Sequence, residues 1–402
     1  MKKLLEDRLI NQFHHWQKSH QLKAVPALSL VSSHPDVFWT FTPSYGATFY
    51  IDLIKNNQLQ PDQKHISAAT VQPCLRLLDS PNKLRKNCSH LSLFQMASYD
   101  EVFPNNIDHT QAKMQALKKW WQYVKNLEIE QFLKKLHVII CEAGPYHGLT
   151  LSRDQVSLNF WQQIGIPKKN IHLKPPTRLE TVFFSRAEPL GGQMTEIFFQ
   201  IEGKLVEIGM FADFAYDRRF KKSGKFAIAD TKKQLSHPGF CNQIELLPNK
   251  RNIFSAAFGV ERLALLLDQH QQVYDLPSMK PLAKILRAAL DNKNLNQQQQ
   301  LLFYQVVDLI RPAVFIAAEG LSPTGSNNHG RSQIFRRKIL TKIAQNLVCL
   351  DLFEQELLTK LIQQVIEIHS QNYPDLLEDQ AQTHKIILDK LTELHHKFTT
   401  CS

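Results

Sequence analysis

Gly259 and Arg262 are the residues best placed to do chemistry, at the centre of the run Phe254-Ser255-Ala256-Ala257-Phe258-Gly259-Val260-Glu261-Arg262. The small and apolar residues up to Gly259 suit a buried strand. Val260, Leu263, Ala264 and Leu267 then fall on one face at helical spacing. A glycine at a strand–helix junction lets backbone come close to a flat ligand, and the guanidinium of Arg262 on the first helical turn can stack on a base or hold a phosphate. Taken alone, such a junction is more often plain structure than a ligand site.

Three further stretches carry residue types suited to the same chemistry. From Ile66 to Arg76 the pattern is a strand entering a loop that carries Lys83, Arg85 and Lys86, and His90 to Met96 returns with Phe94 and Met96 on one face. Strand, basic loop, strand can grip a triphosphate through charge-assisted guanidinium bonds; an ordinary basic hairpin has the same pattern. In the third stretch Phe184 precedes Gly191-Gly192, and two strands follow that carry Glu196 and Glu207. Such acids can hold Mg2+ or ligand hydroxyls, or sit solvated on an exposed face. The fourth combines Asn327 and Asn328 with Arg331, Arg336, Arg337, Lys338 and Lys342, and no acid lies between Leu321 and Lys342. That is the footprint of phosphate binding, against the alternative of a solvated basic helix.

Ordinary elements must position these groups. Leu5, Leu9, Phe13 and Trp16 make one stripe of an opening helix, residues 110–135 read as helical, Leu136–Cys141 as a buried strand, and the helix from Gln155 stops at Gly165-Ile166-Pro167. From about residue 280 the pattern is entirely helical. A chain of 402 residues has room for two or three domains, and 43% hydrophobic with 21% charged residues describes a globular protein. Six scattered cysteines include no pair at zinc spacing and read as reduced thiols. Net charge +11 favours a polyanionic partner such as RNA. No apolar run approaches the ~20 residues of a membrane span, and charge returns too soon after Met1 for a secretory signal. A cytoplasmic protein with no membrane partner is expected.

Together these stretches resemble the alanyl-tRNA synthetase family of class II aminoacyl-tRNA synthetases. The Gly259–Arg262 junction resembles motif 3, whose arginine holds ATP. Residues 66–96 resemble motif 2 in the spacing of Gln72, Cys74 and Arg76 and in the return His90…Phe94-x-Met96. Ile310 to Lys338 resembles the helix, loop and Arg-Arg helix that face the tRNA acceptor stem, and Val25 to Thr42 is similar to the family's opening region. The resemblance implies an α+β fold: an antiparallel sheet flanked by helices in a catalytic domain (1–270), followed by an all-helical tRNA-recognition domain (271–402). It covers nearly the whole chain, without the family's zinc-bearing editing domain or its C-terminal domain.

The implied function is ATP-dependent activation of alanine or a small relative to an aminoacyl-adenylate, then transfer to tRNA, with ATP and Mg2+ required and no zinc. Arg76, Phe94, Met96, Gly259 and Arg262 would bind ATP. Phe184, Glu207, Ser255 and Ala257 would shape the amino-acid pocket, Glu196 and Glu207 are the candidates for Mg2+, and Asn327, Asn328, Arg331, Arg336 and Arg337 would meet RNA. Three positions depart from the family: Pro73 replaces an arginine that touches the α-phosphate, Ser255 the acid for the α-amino group, and Ala257 a glycine. They keep open a paralogue that loads a non-tRNA acceptor, or a non-catalytic RNA-binding protein.

Overall fold

The structure, a computed structural model, describes residues 4–31, 65–77, 90–127, 129–146, 149–177, 180–184, 190–220, 244–248, 252–269, 272–291, 293–325 and 329–400. The basic loop with Lys83, Arg85 and Lys86, and also Asn327 and Asn328, lie outside the described residues.

The strands are β1 (Lys23–Ala24), β2 (Ile66–Leu75), β3 (Leu93–Phe103), β4 (Leu136–Cys141), β5 (Gly144–Tyr146), β6 (Leu149–Leu151) and β7 (Ile171–Lys174). They continue with β8 (Val182–Phe184), β9 (Leu190–Ile201), β10 (Lys204–Asp213), β11 (Tyr216–Phe220), β12 (Ile244–Pro248) and β13 (Asn252–Gly259). The main sheet runs β1-β2-β3-β13-β10-β9-β11-β12, with β4 and β8 also on β9 and β7 on β4. It is antiparallel as expected, apart from the parallel pairs β1–β2 and β4–β7.

Side chains alternate across a strand, so register sorts residues into two faces. On β3, Leu93, Ala97, Tyr99 and Phe103 point to one face with Phe254, Ala256 and Phe258 of β13, and all of them are buried. Four helices cover this face: α1 (Leu5–Ser19), α2 (His109–Lys125), α3 (Gln155–Gln163) and α4 (Val260–Leu267). Trp16 of α1 meets Tyr99 edge-on at 5.5 Å, and Trp120 of α2 stacks on Phe258 at 4.7 Å. Fully burying one such ring contributes roughly 1.5–3 kcal/mol. The helix expected over 110–135 ends at Lys125, with a 3-10 stretch at Ile129–Lys135. Under the helices, Lys113 of α2 lies 2.9 Å from Asp154 and 3.0 Å from Asp213. Burial alone would depress its pKa, but the two carboxylates outweigh that and hold it charged.

The remaining helices are α5 (Lys280–Ala289), α6 (Gln297–Ala318), α7 (His329–Ile334), α8 (Thr341–Cys349), α9 (Gln355–His369) and α10 (Gln380–Thr400), with a π-helical stretch at Phe335–Leu340. Asn296 and Gln299 form a reciprocal cap that starts α6. Contrary to the expectation from the sequence, α6 is long and apolar enough to cross a membrane, and 72% of its most apolar window is buried inside the protein. It also carries buried charge. Asp308 accepts from the Ser92 backbone N–H (2.9 Å) and from the Ser92 hydroxyl (2.5 Å). Arg311 donates to the Leu93 carbonyl at 2.9 Å. These bonds fasten the helical part to the edge of β3.

Candidate functional site

The face of the sheet opposite α1 to α4 carries Phe94, Met96, Glu196, Glu207, Ser255 and Ala257 among the residues singled out from the sequence. In the ladder Met96 pairs with Gln72 and Gly259, Ser98 with Ala257, and Asp100 with Ser255. Across β10 the rows continue, Ala257 to Met210 to Glu196 and Ser255 to Ala212 to Met194. Paired residues share a face. Phe94, Met96, Ala257, Ser255 and Glu196 therefore belong to one surface, and all five are only partly buried.

Arg76, one step past β2, donates its backbone N–H to the Ser92 carbonyl at 2.8 Å. Its guanidinium lies over the Phe94 ring, 5.1 Å from the centroid, a cation–π arrangement worth about 0.5–1 kcal/mol when exposed. Two of the residues that the family resemblance marks for ATP are thus in contact. Gln72, also in that spacing, serves the fold instead. Its buried amide accepts from the Leu28 N–H (2.7 Å) and donates to the Leu28 carbonyl (2.9 Å), binding residues 25–31 to the sheet. Pro73 pairs with Gln95 and so belongs to the helix-covered face, not to the surface of Phe94 and Met96.

At the junction, β13 ends at Gly259 opposite Met96 and α4 begins. The next N–H along β3, that of Gln95, has no strand partner there; it donates to the Glu261 carboxylate at 2.9 Å. Glu261 thereby extends the ladder past the point where the strand became helix. Burial pushes its pKa up to about 7 against the pull of Arg311. Its neighbour Arg262 turns the other way and donates to the Glu207 carbonyl at 2.9 Å and to its carboxylate at 3.1 Å.

Glu207 reaches Arg262 because of a bulge. Register slips between Glu207 and Gly209, so Glu207 opposes Phe198 and Met210 opposes Glu196, and both land on the open face. A side chain at Gly209 would collide with the Phe258 ring and the Ala257 carbonyl, so glycine is required there. Burial, with Glu207 and then Glu180 nearby, pushes the Glu196 pKa up to about 8. No cluster of three or more metal-ligating side chains occurs among the described residues. Glu196 and Glu207 by themselves therefore do not make a metal site; two carboxylates would hold Mg2+ only together with oxygens from a ligand.

Of Phe184 only the backbone is described, paired with Gly191. The basic residues lie elsewhere, in the helical part. Phe335, Ile339 and Leu340 are buried, which turns Arg337 and Lys338 outward and leaves Arg331 and Arg336 partly exposed.

Asp100 is a residue that sequence reasoning does not single out. It is 2% exposed, and its Oδ1 has no hydrogen-bond partner among the described residues. Burial pushes its pKa up to about 7, with the Ser255 hydroxyl pulling the other way. Only an acid breaking the apolar alternation of β3 marks it, and which face it joins depends on register.

The family of class II (A) tRNA synthetases matches residues 8–399. The chain is similar to the alanine–tRNA ligase of Parabacteroides distasonis, 22% identical over 93% of this chain and 40% of that protein. It is also similar to that of Pseudoalteromonas translucida, 24% identical over 96% of this chain and 41% of that protein. It thus spans about two fifths of the length of these relatives. Among solved structures, a pyrrolysyl-tRNA synthetase from Desulfitobacterium hafniense aligns over 68% of this chain and 71% of its own, at 13% identity and TM-score 0.35.

Proposed function

The chain belongs to the class II (A) tRNA synthetases, and from that premise we propose that it is an ATP-dependent aminoacyl ligase of the alanyl type. The observation that carries this reading is the convergence of Arg76, Phe94, Gly259 and Arg262 on one open sheet face. Phe94 offers a surface for adenine, Gly259 a close backbone approach, and the two guanidiniums a grip on phosphate. The amino-acid carboxylate attacks the α-phosphorus and pyrophosphate leaves. A hydroxyl at the end of an RNA acceptor then attacks the acyl carbon and AMP leaves.

Positioning and stabilisation of phosphate charge carry most of the acceleration. Glu196 and Glu207 would hold a Mg2+ ion together with the nucleotide, and the ion would supply shielding of the phosphate charge. The amino acid is alanine or a small relative, and Phe184, Glu207, Ser255 and Ala257 shape its pocket. Residues 1–270 would form the catalytic unit and 271–402 the RNA-recognition unit, with Asn327, Asn328, Arg331, Arg336 and Arg337 on the acceptor.

A second reading keeps the fold but changes the acceptor, or drops activation; it is favoured by an uncharged Ser255 on the pocket surface. ATP–pyrophosphate exchange across all amino acids, followed by transfer to tRNA, separates the two. Exchange with a small amino acid and a charged tRNA support the first. Exchange without tRNA charging supports another acceptor, and no exchange with any amino acid overturns the ligase.

A further inference from the structure

Asp100 is a buried carboxylate on the sheet face opposite α1 to α4, with one oxygen that no described residue partners. Its ladder neighbours on that surface are Ala68 on β2 and Ser255 on β13, and Ala212 follows on β10. All are small and uncharged; Ala68 and Ala212 are buried in an apolar cluster, while Ser255 and the adjacent Ala257 are only partly buried, so the acid is approached from their side alone. An orphaned buried carboxylate oxygen costs free energy unless a donor reaches it. Among the described residues Asp213 and Glu101 also keep one unpartnered oxygen, but both lie on the helix-covered face and each has a cation, Lys113 and His109 for Asp213 and Lys119 for Glu101, whereas Asp100 has only the Ser255 hydroxyl.

We propose that Asp100, aided by the Ser255 hydroxyl, is the binding residue for the α-ammonium of the amino acid that this chain activates. The inference rests on the ligase reading above. In that reading ATP and RNA bring negative charge, Mg2+ goes to the phosphates beside Glu196 and Glu207, and the amino acid brings the one organic cation. The ammonium supplies what the carboxylate lacks, and Ser255 accepts one of its remaining protons. The acid thus stands one strand away from Ser255, the position at which the family resemblance places it. A carboxylate poised near neutrality by burial is ionised by an arriving cation, so binding should release a proton at neutral pH.

Titration calorimetry with two probes that differ only in the amine tests the proposal: glycyl-sulfamoyl-adenosine and acetyl-sulfamoyl-adenosine. The glycyl group has no side chain, so pocket size does not enter. The full chain should bind the glycyl probe about 10- to 100-fold more tightly. Repeating the titration in buffers of different ionisation heat should show proton release with the glycyl probe alone. Asp100→Asn should abolish both the preference and the proton release while leaving acetyl-probe affinity unchanged. Glu196→Gln, which removes the rival carboxylate, should keep the preference. Moving the acid across the ladder, with Asp100→Ser and Ser255→Asp combined, should restore it. Binding of both probes with a preference that survives Asp100→Asn, or is lost in Glu196→Gln, overturns the role of Asp100 alone. Binding of neither probe by the unaltered chain overturns the ligase reading and this inference together.

Discussion

Glu261 and Arg311 stand 3.6 Å apart, a helix-borne acid beside the open face and a base 1% exposed in the core of the helical part. Glu261 also takes the Gln95 N–H, and Arg311 also holds the Leu93 carbonyl. Two residues thus bind β3, α4 and α6 into one block. Removing one partner of a buried pair leaves the other charge uncompensated, typically at about 3–5 kcal/mol. Arg311→Met should therefore lose about that much in urea unfolding, and Glu261→Gln as much or more, since Arg311 cannot shed its charge once the carboxylate is gone. A loss below about 1 kcal/mol for Arg311→Met would show that the pair does not hold the block together.

Arg262 is engaged by Glu207, so the two residues should act oppositely on nucleotide affinity. Arg262→Ala should weaken ATP binding by roughly 10- to 100-fold, the value of a charge-assisted phosphate contact. Glu207→Gln removes a negative charge from beside that phosphate and should strengthen ATP binding in the absence of Mg2+. Calorimetry on both variants decides this. Equal affinity in Arg262→Ala and the unaltered chain defeats the assignment.

RNA binding should depend on salt, with a log–log slope of about −0.7 to −0.9 for each phosphate neutralised. Replacing Arg336 and Arg337 together by Gln should flatten the slope and leave ATP affinity unchanged, since these residues sit on a π-helical stretch and not on the strands of the open face. Filter binding of a tRNA across a salt series measures it. A slope indifferent to the double change removes this segment from the interface.

Asp100 should also leave a mark on stability against pH. Its folded pKa is raised to about 7 from 3.8, so the folded state prefers the protonated form. The stability it contributes is complete below about pH 4 and is lost as pH rises toward 7. Asp100→Asn should therefore match the unaltered chain at low pH and exceed it above pH 7, by up to about 4 kcal/mol on the scale of 1.36 per unit. Denaturant melts at three pH values test this, and curves that stay parallel throughout would contradict it.

Much of this is legible in the sequence. The strand–glycine–helix junction at 252–267 follows from a small-residue run turning to helical spacing, with Arg262 on its first turn. The alternation that sets Phe94 and Met96 together on β3 holds as well. What stays hidden depends on which strands are neighbours. Asp100 gains its meaning only from lying opposite Ser255, a residue 155 positions later in the chain. Pro73 looks like a gap in the phosphate grip, yet parity along β2 turns it to the helix-covered face. The apolar length of α6 is masked in the sequence, because Asp308 and Arg311 interrupt a pattern that is otherwise apolar.

The bulge at Glu207–Gly209 bears on how this strand tolerates change in length. Ile208 is the supernumerary residue, tucked into the core at 3% exposure while Glu207 and Met210 both look outward. Deleting Ile208 would restore strict alternation, and Glu207 would keep both its outward aim and its place opposite Phe198, because Gly209 would then follow it directly. A point substitution at 208 is a question of volume, whereas straightening the bulge at full length is a question of phase. A chain shortened by that one residue would keep the meeting of Glu207 with Arg262, while a full-length strand paired without the bulge would turn Glu207 to the covered face.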